Sequence, residues 1–310
     1  MVLGAGLGPA GYAYAIMHLI THGFFKAGMF LGAGSVMHGM NDEVNMRKYG
    51  GLRKFMPITF VTFGLGYLAI IGVPPFAGYF SKDKIIETAL NAGGAKGIIL
   101  GSITLLGAAI TAFYMTRLMI LTFTSSKRWD ENQHPHESPA LMWIPMSLLA
   151  IGSVISGYLL YRGEALKHWL EPLFEKHGEH TELLPPIAVS GLALLMVAIG
   201  VSIAVIKYQL SDIDAVAPEN VSIFTRAARR DLLQDDVNEA LFMRPGQALT
   251  SALVKADESV IDGTVRGIGQ MAVGSGSALR KSQTGFVRSY AVLILIGAAT
   301  LLAAIWVVTK

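Results

Sequence analysis

Apolar runs of bilayer length, separated by short polar stretches, recur along all 310 residues. A hydrocarbon core about 30 Å thick demands roughly 20 consecutive apolar residues from a helix that crosses it. Inside it no water satisfies open backbone groups, so each run must close its hydrogen bonds as a helix. About six segments qualify: roughly Ala10–His38, Pro57–Asn91 with an interruption, Ile98–Phe123, Ala140–Tyr161, Leu184–Lys207 and Val287–Val308. Composition agrees, with 15% charged residues where a soluble domain carries about 25%. The expected fold class is an all-α integral membrane protein with one broken span and a long amphipathic helix before the last span.

The chain has no cysteine, which excludes disulfides and cysteine-ligated clusters. It also lacks a dinucleotide-binding fingerprint, so no cofactor is expected in this chain and electrons are not expected to pass through it. The opening residues, MVLGAGLGPAG, have neither the basic region nor the cleavage site of a signal peptide. They read as the glycine-rich end of a preceding membrane segment, and the expectation is that Met1 lies inside a longer protein.

Lysine and arginine give an orientation. Residues 41–54 hold Arg47, Lys48, Arg53 and Lys54, residues 125–139 hold Lys127 and Arg128, and residues 208–285 are arginine-rich. These three are expected on the cytoplasmic side. The other side receives the turn with Lys96 and the acidic loop 163–183, with Glu164, Glu171, Glu175, Glu179 and Glu182. Both chain ends are then outside.

The first span is not uniformly apolar. In HLITHGFFKAGMF, His18, His22 and Lys26 recur every four residues, so they share one helical stripe climbing about 12 Å along the axis. Lys26 falls near mid-span, where a lone ammonium costs several kcal/mol or more. A low dielectric disfavours the charged forms of lysine and histidine, and an amine that releases and regains its proton there is a proton carrier. The two histidines would extend it into a relay. The alternatives are histidines that merely hydrogen-bond a neighbouring helix beside a snorkelling lysine, or a zinc site on the HxxxH pair, for which the glutamate of HExxH and a third ligand are missing.

The second span is interrupted. GVPPFAGYFSKDK, residues 72–84, holds Pro74 and Pro75 between Gly72 and Gly78. Prolines remove donors and clash with the preceding turn, and an unbroken helix from Pro57 to Asn91 would be about 51 Å long. Two half-helices joined by an unwound stretch are expected. Non-helical backbone at that depth must line protein or water, and so often marks an ion path; an ordinary proline kink is the alternative. Beyond the break stand Lys82, Asp83, Lys84 and Glu87, either a proton-handling group or an interfacial snorkelling cluster. Arg117 and His38 near helix ends read as interfacial, and His134 and His136 as part of a solvated loop.

From about Arg229 to Ser282 the chain is too polar to span. Leu249, Leu253, Val254, Val260, Ile261, Val265, Ile268 and Ala272 fall on one arc of a wheel, and Lys255, Glu258, Asp262, Arg266 and Gln270 on the other, with Asp257 an exception. That pattern describes a helix lying along a surface. Pro245 is expected to interrupt it and GSGS at 274–277 to weaken its end.

HLITHGFFKAGMFLGAGSV, GGLRKFMP and GVPPFAGYFSKDKIIE resemble the antiporter-like subunits of respiratory complex I. DDVNEALFMRPGQAL and LRKSQTGFVRSYA before a final span resemble the L type of bacterial NADH-quinone oxidoreductase. The resemblance covers essentially the whole chain. It implies two inverted five-helix repeats, each with a broken helix, at the far end of the membrane arm. Lys26 would match the central lysine of the second repeat, His18 and His22 its relay histidines, Lys82 the exit-side lysine, Asp83 its acidic neighbour and residues 231–282 the lateral helix. Full L-type chains are about twice as long, so this one would carry the C-terminal, exit half of a pathway.

The expected organisation is residues 1–124 for the second antiporter-like repeat, 125–208 for two additional spans, 209–285 for the cytoplasmic-side lateral helix and 286–310 for the terminal anchor. Implied partners are other membrane-arm subunits (M, N and neighbours), contacted by the lateral helix, and the lipid bilayer of the cell inner membrane, with no nucleic acid. The alternatives are a subunit of a multi-subunit cation/proton antiporter and a structural membrane-arm subunit.

Overall fold

The computed structural model describes residues 1–174, 184–213, 216–281, 283 and 285–309. Glu175, Glu179 and Glu182 of the acidic loop, and Ser282 at the end of the amphipathic stretch, lie outside the described residues. Among those described, every regular element is helical. Contacts divide the chain into two units, residues 1–218 and 219–310.

In the first unit a short α1 (Val2–Gly6) precedes α2 (Pro9–Gly39). α2 starts with Pro9 in its first turn, where a missing N–H costs nothing. The second span is broken as its prolines dictate: α3 (Pro57–Ile71) ends at Gly72, an unwound stretch passes Pro74 and Pro75, and α4 (Ala77–Leu90) resumes. α5 (Gly94–Met119) runs on through a single π-helical turn to Thr124. α6 (Ala140–Tyr161), the short α7 (Ala165–Leu170) and α8 (Pro186–Tyr208) complete the unit.

α2 packs on α3, α4 and α6, and α5 on α8. Phe25, Met29, Met56, Phe63, Met119 and Phe123 form the centre of the core. Lipid tails are as apolar as leucine, so close backbone approach carries helix association here. A Cβ on Gly157 of α6 would stand 2.4 Å from the Ala77 backbone, and one on Gly200 of α8 would stand 2.2 Å from the Ala109 carbonyl.

Among the described residues, four stretches are long and apolar enough to cross a bilayer: Gly94–Thr124, Ala140–Leu173, Pro186–Tyr208 and Val287–Val308. α2 has the length but carries the His18–Lys26 stripe, and α3 is a shorter apolar helix ended by the break. The protein is an integral membrane protein by this architecture: outward faces such as Ile103, Leu106 and Ile110 on α5 are more than half exposed, and hydrocarbon is the solvent that suits them. The two basic loops of this unit lie together at one end, where Arg128 N donates to Tyr49 O at 3.1 Å and Trp129 Nε1 to Gly50 O at 3.0 Å. The buried Tyr49 hydroxyl donates to the Glu43 carbonyl, and burial pushes the phenol up to about 12.

In the second unit, α9 (Ile223–Arg229) leads to α10 (Gln234–Asn238), α11 (Arg244–Ala256), α12 (Asp262–Lys281) and α13 (Val287–Val308). Pro245 does not interrupt the amphipathic stretch. It sits in the first turn of α11, after a π-helical turn over Glu239–Met243, and a second such turn over Asp257–Ile261 joins α11 to α12. The widened turn accommodates the donor that proline lacks. GSGS at 274–277 also remains helical. Helical backbone therefore runs from Gln234 to Lys281, about 70 Å at 1.5 Å per residue.

Candidate functional site

The stripe on α2 forms as its spacing predicts. His18 and His22 stand with ring centroids 5.7 Å apart, and His22 packs edge-on against Phe25 at 5.1 Å. Lys26 follows one turn on, half-buried, its amine 5.3 Å from the centroid of the Phe30 ring. Among the described residues no carboxylate lies within ion-pair distance of Lys26, and no group of three or more His, Cys, Asp or Glu side chains gathers as a metal site.

The stripe reaches the broken helix through hydroxyl groups. His18 Nδ1 lies 3.0 Å from Ser81 Oγ, and Ser81 Oγ lies 3.0 Å from Thr21 Oγ1. Ser81 and Thr21 are fully buried, and each hydroxyl oxygen also lies within hydrogen-bond distance of a carbonyl of its own helix, Ser81 of Ala77 O at 3.2 Å and Thr21 of Met17 O at 3.0 Å. Sequence reasoning missed this bridge. A serine beside a lysine and a threonine beside a histidine are too common to single out before the helices are packed.

Ser81 is followed by Lys82, whose ammonium serves the break itself. Its Nζ donates to Ile71 O at 2.7 Å and Ile70 O at 3.5 Å. These are C-terminal carbonyls of α3, which have no partner within their own helix, and a cation there meets the negative end of the helix dipole. Gly72 makes room: its φ is +86°, and a Cβ on it would stand 2.9 Å from Lys82 Nζ. Asp83 is 4% exposed, and its Oδ2 has no hydrogen-bond partner among the described residues. Lys84 pairs with Glu87 at 2.9 Å, with its amine 5.8 Å from the Tyr161 ring centroid.

The other end of α3 is held by a second charge. Glu137 Oε2 accepts from Ile58 N at 2.7 Å and Thr59 N at 3.2 Å, and Oε1 accepts from the Thr59 hydroxyl. Ser35 of α2 joins Thr59 and Ser138 at 2.7 and 2.8 Å. The α3 N-cap residue is Met56, which offers no side-chain acceptor, so a cap had to come from a distant segment. The sequence does not say which one. An imported anion at the N-terminus and an imported cation at the C-terminus thus bracket one half-helix.

Of the remaining expectations, His134 and His136 are exposed in their loop, with the His136 ring 5.6 Å from that of His38, and Arg117 lies over the Tyr208 ring at 5.4 Å near the end of α5.

The family model described as "NADH:quinone oxidoreductase/Mrp antiporter, TM" matches residues 1–111. NADH-quinone oxidoreductase subunit L of Mycobacterium tuberculosis is 56% identical over 308 residues, covering 99% of this chain and 49% of that protein. NAD(P)H-quinone oxidoreductase chain 5 of Picosynechococcus sp. is 35% identical over 327 residues, covering 95% and 48%. The chain spans about half the length of the curated relatives it matches. Among solved structures, the Mrp complex from Dietzia sp. DQ12-45-1b shares the fold at a TM-score of 0.52 and 20% identity, covering 99% of this chain and 29% of that one. With this likeness running along 99% of its length, the chain is similar to the C-terminal half of the antiporter-like membrane subunits that include NADH-quinone oxidoreductase subunit L.

Proposed function

We propose that the chain is the C-terminal half of a proton-translocating membrane-arm subunit of an NADH-quinone oxidoreductase. In this reading Lys26 takes up and releases a proton, His18 and His22 relay it, and Lys82 with Asp83 passes it onward. The observation that carries the reading is the His18–Ser81 contact at 3.0 Å. It joins the titratable stripe of α2 to the half-helix bearing Lys82 and Asp83, where a relay needs short hydrogen-bonded steps. Among the described residues Lys26 has no ion-pair partner, and a proton carrier within a membrane is not held by a permanent one.

Partner subunits carry the redox chemistry, and its energy reaches this chain as a conformational or electrostatic change. The amphipathic helix through α11 and α12 lies laterally against neighbouring membrane-arm subunits, and α13 anchors it. The location is the cell inner membrane, with the basic loops in the cytoplasm.

A second reading is a subunit of a multi-subunit cation/proton antiporter. It is favoured by the wording of the family description and by the Mrp fold neighbour. Co-purification separates the two: flavin- and cluster-bearing partners accompany the first. The direct test is Lys26→Met in the complete complex. The expected outcome is NADH oxidation intact and a lowered proton-to-electron ratio; an unchanged ratio refutes the role of Lys26.

A further inference from the structure

Two histidines from different segments meet at the end of the first unit that carries the basic loops. His38 lies in the last turn of α2, and His136 lies in the loop QHPHE. Both residues are exposed, and their ring centroids stand 5.6 Å apart with the planes at 71°. A Cβ on Gly39 would stand 2.5 Å from the His136 carbonyl oxygen. The loop therefore lies directly on the last turn of α2 and holds one ring against the other.

The His136 ring is also oriented. Its Nδ1 lies 3.1 Å from the His134 carbonyl oxygen. A carbonyl oxygen only accepts, so Nδ1 carries a proton and donates it. In the neutral ring the open lone pair is then on Nε2, and a backbone carbonyl behind Nδ1 is the outer partner that commonly fixes a metal-ligating imidazole. Two imidazoles on one tetrahedral ion, at about 2.0 Å per bond, place their centroids about 5 Å apart, close to the spacing found here. Among the described residues neither ring is in an ion pair, and no third His, Cys, Asp or Glu gathers there, which leaves the other positions of such an ion to water.

We propose that His38 and His136 form a shared site for a borderline divalent cation of the zinc class. Imidazole suits such ions, whereas Mg²⁺ and Ca²⁺ take oxygen ligands. The bound ion ties the end of α2 to the segment whose Glu137 caps α3 and whose Ser138 meets Ser35. The site is separate from the His18–Lys26 stripe, and its existence does not depend on the proton-translocation reading.

The test is a zinc count. The complete complex is washed with EDTA and dialysed against radiolabelled Zn²⁺ with Mg²⁺ in excess. His38→Gln and His136→Gln are each expected to lower the bound zinc by about one ion per complex, and the double variant by that same ion, because residues that act as one unit are not additive. NADH oxidation reports the assembly of each variant, and should one not assemble, the other carries the count. An unchanged count overturns the site and reduces the pair to an edge-on ring contact. Losses that add in the double variant overturn the sharing of one ion. Zn²⁺ is also expected to raise the thermal dissociation midpoint of the wild-type complex, as a ligand of the assembled form does, and to raise it less in either variant; an equal rise in all three overturns the tie between α2 and the loop.

Discussion

Replacing Gly72 by alanine tests whether the C-terminal carbonyls of α3 hold Lys82 in place. Gly72 has φ +86°, and the new Cβ would stand 2.9 Å from Lys82 Nζ and 3.0 Å from its Cε. The left-handed conformation costs an alanine about 1 kcal/mol. The ammonium is the end of a flexible side chain, so it moves aside rather than the backbone, and the cost of that movement is its bond to Ile71 O at 2.7 Å. A hydrogen bond to a charged group contributes about 2 kcal/mol. The sum is about 3 kcal/mol, on the order of a hundredfold in the population of this arrangement. The assay is the thermal dissociation midpoint of the complete complex, in the wild-type and Lys82→Met backgrounds. If the reasoning holds, Gly72→Ala is strongly destabilising alone and costs only the backbone share, about 1 kcal/mol, once Lys82 is gone. Gly107→Ala, in open space within α5, should be neutral or slightly stabilising. An equal cost of Gly72→Ala in both backgrounds would falsify the claim that Lys82 caps α3.

Two further outcomes follow from the hydrogen bonds around the same half-helices. Glu137→Ala leaves the Ile58 and Thr59 amides and the Thr59 hydroxyl without their acceptor, at about 1–3 kcal/mol, so the dissociation midpoint should fall; Glu137→Gln, which keeps one acceptor oxygen, should cost less, and equal effects of the two would argue against the cap. Ser81→Ala removes the shared partner of His18 and Thr21 and should lower the proton-to-electron ratio at a stability cost of about 1 kcal/mol, whereas a normal ratio would mean that the bridge carries no protons.

The elements that sequence made legible are those set by local chemistry. The 22-residue α13, with Arg288 near its start as its one charged residue, is long and apolar enough to span, and the break between α3 and α4 follows from two adjacent prolines flanked by glycines. The four-residue spacing of His18, His22 and Lys26 fixes their common face on any helix. Where a local rule misled, at Pro245, the chain kept its helix because a π-helical turn precedes the proline; the glycines of GSGS stay helical, and α12 ends soon after, at Lys281. Ser81, Thr21 and Glu137 were illegible for a different reason. Each acts on a segment 60 to 79 residues away, and nothing in their own neighbourhoods encodes that separation.

By itself, then, the sequence determined that long apolar helices dominate the chain, where one of them must unwind, and which ionisable side chains share one helical face. Those are consequences of solvent transfer and backbone sterics, which act along the chain. Only the tertiary structure decided that Lys82 turns its charge onto the end of α3, that Ser81 meets His18, and that Asp83 is buried beside the break. Those depend on which helix lies against which, and packing brings together groups that are remote along the chain.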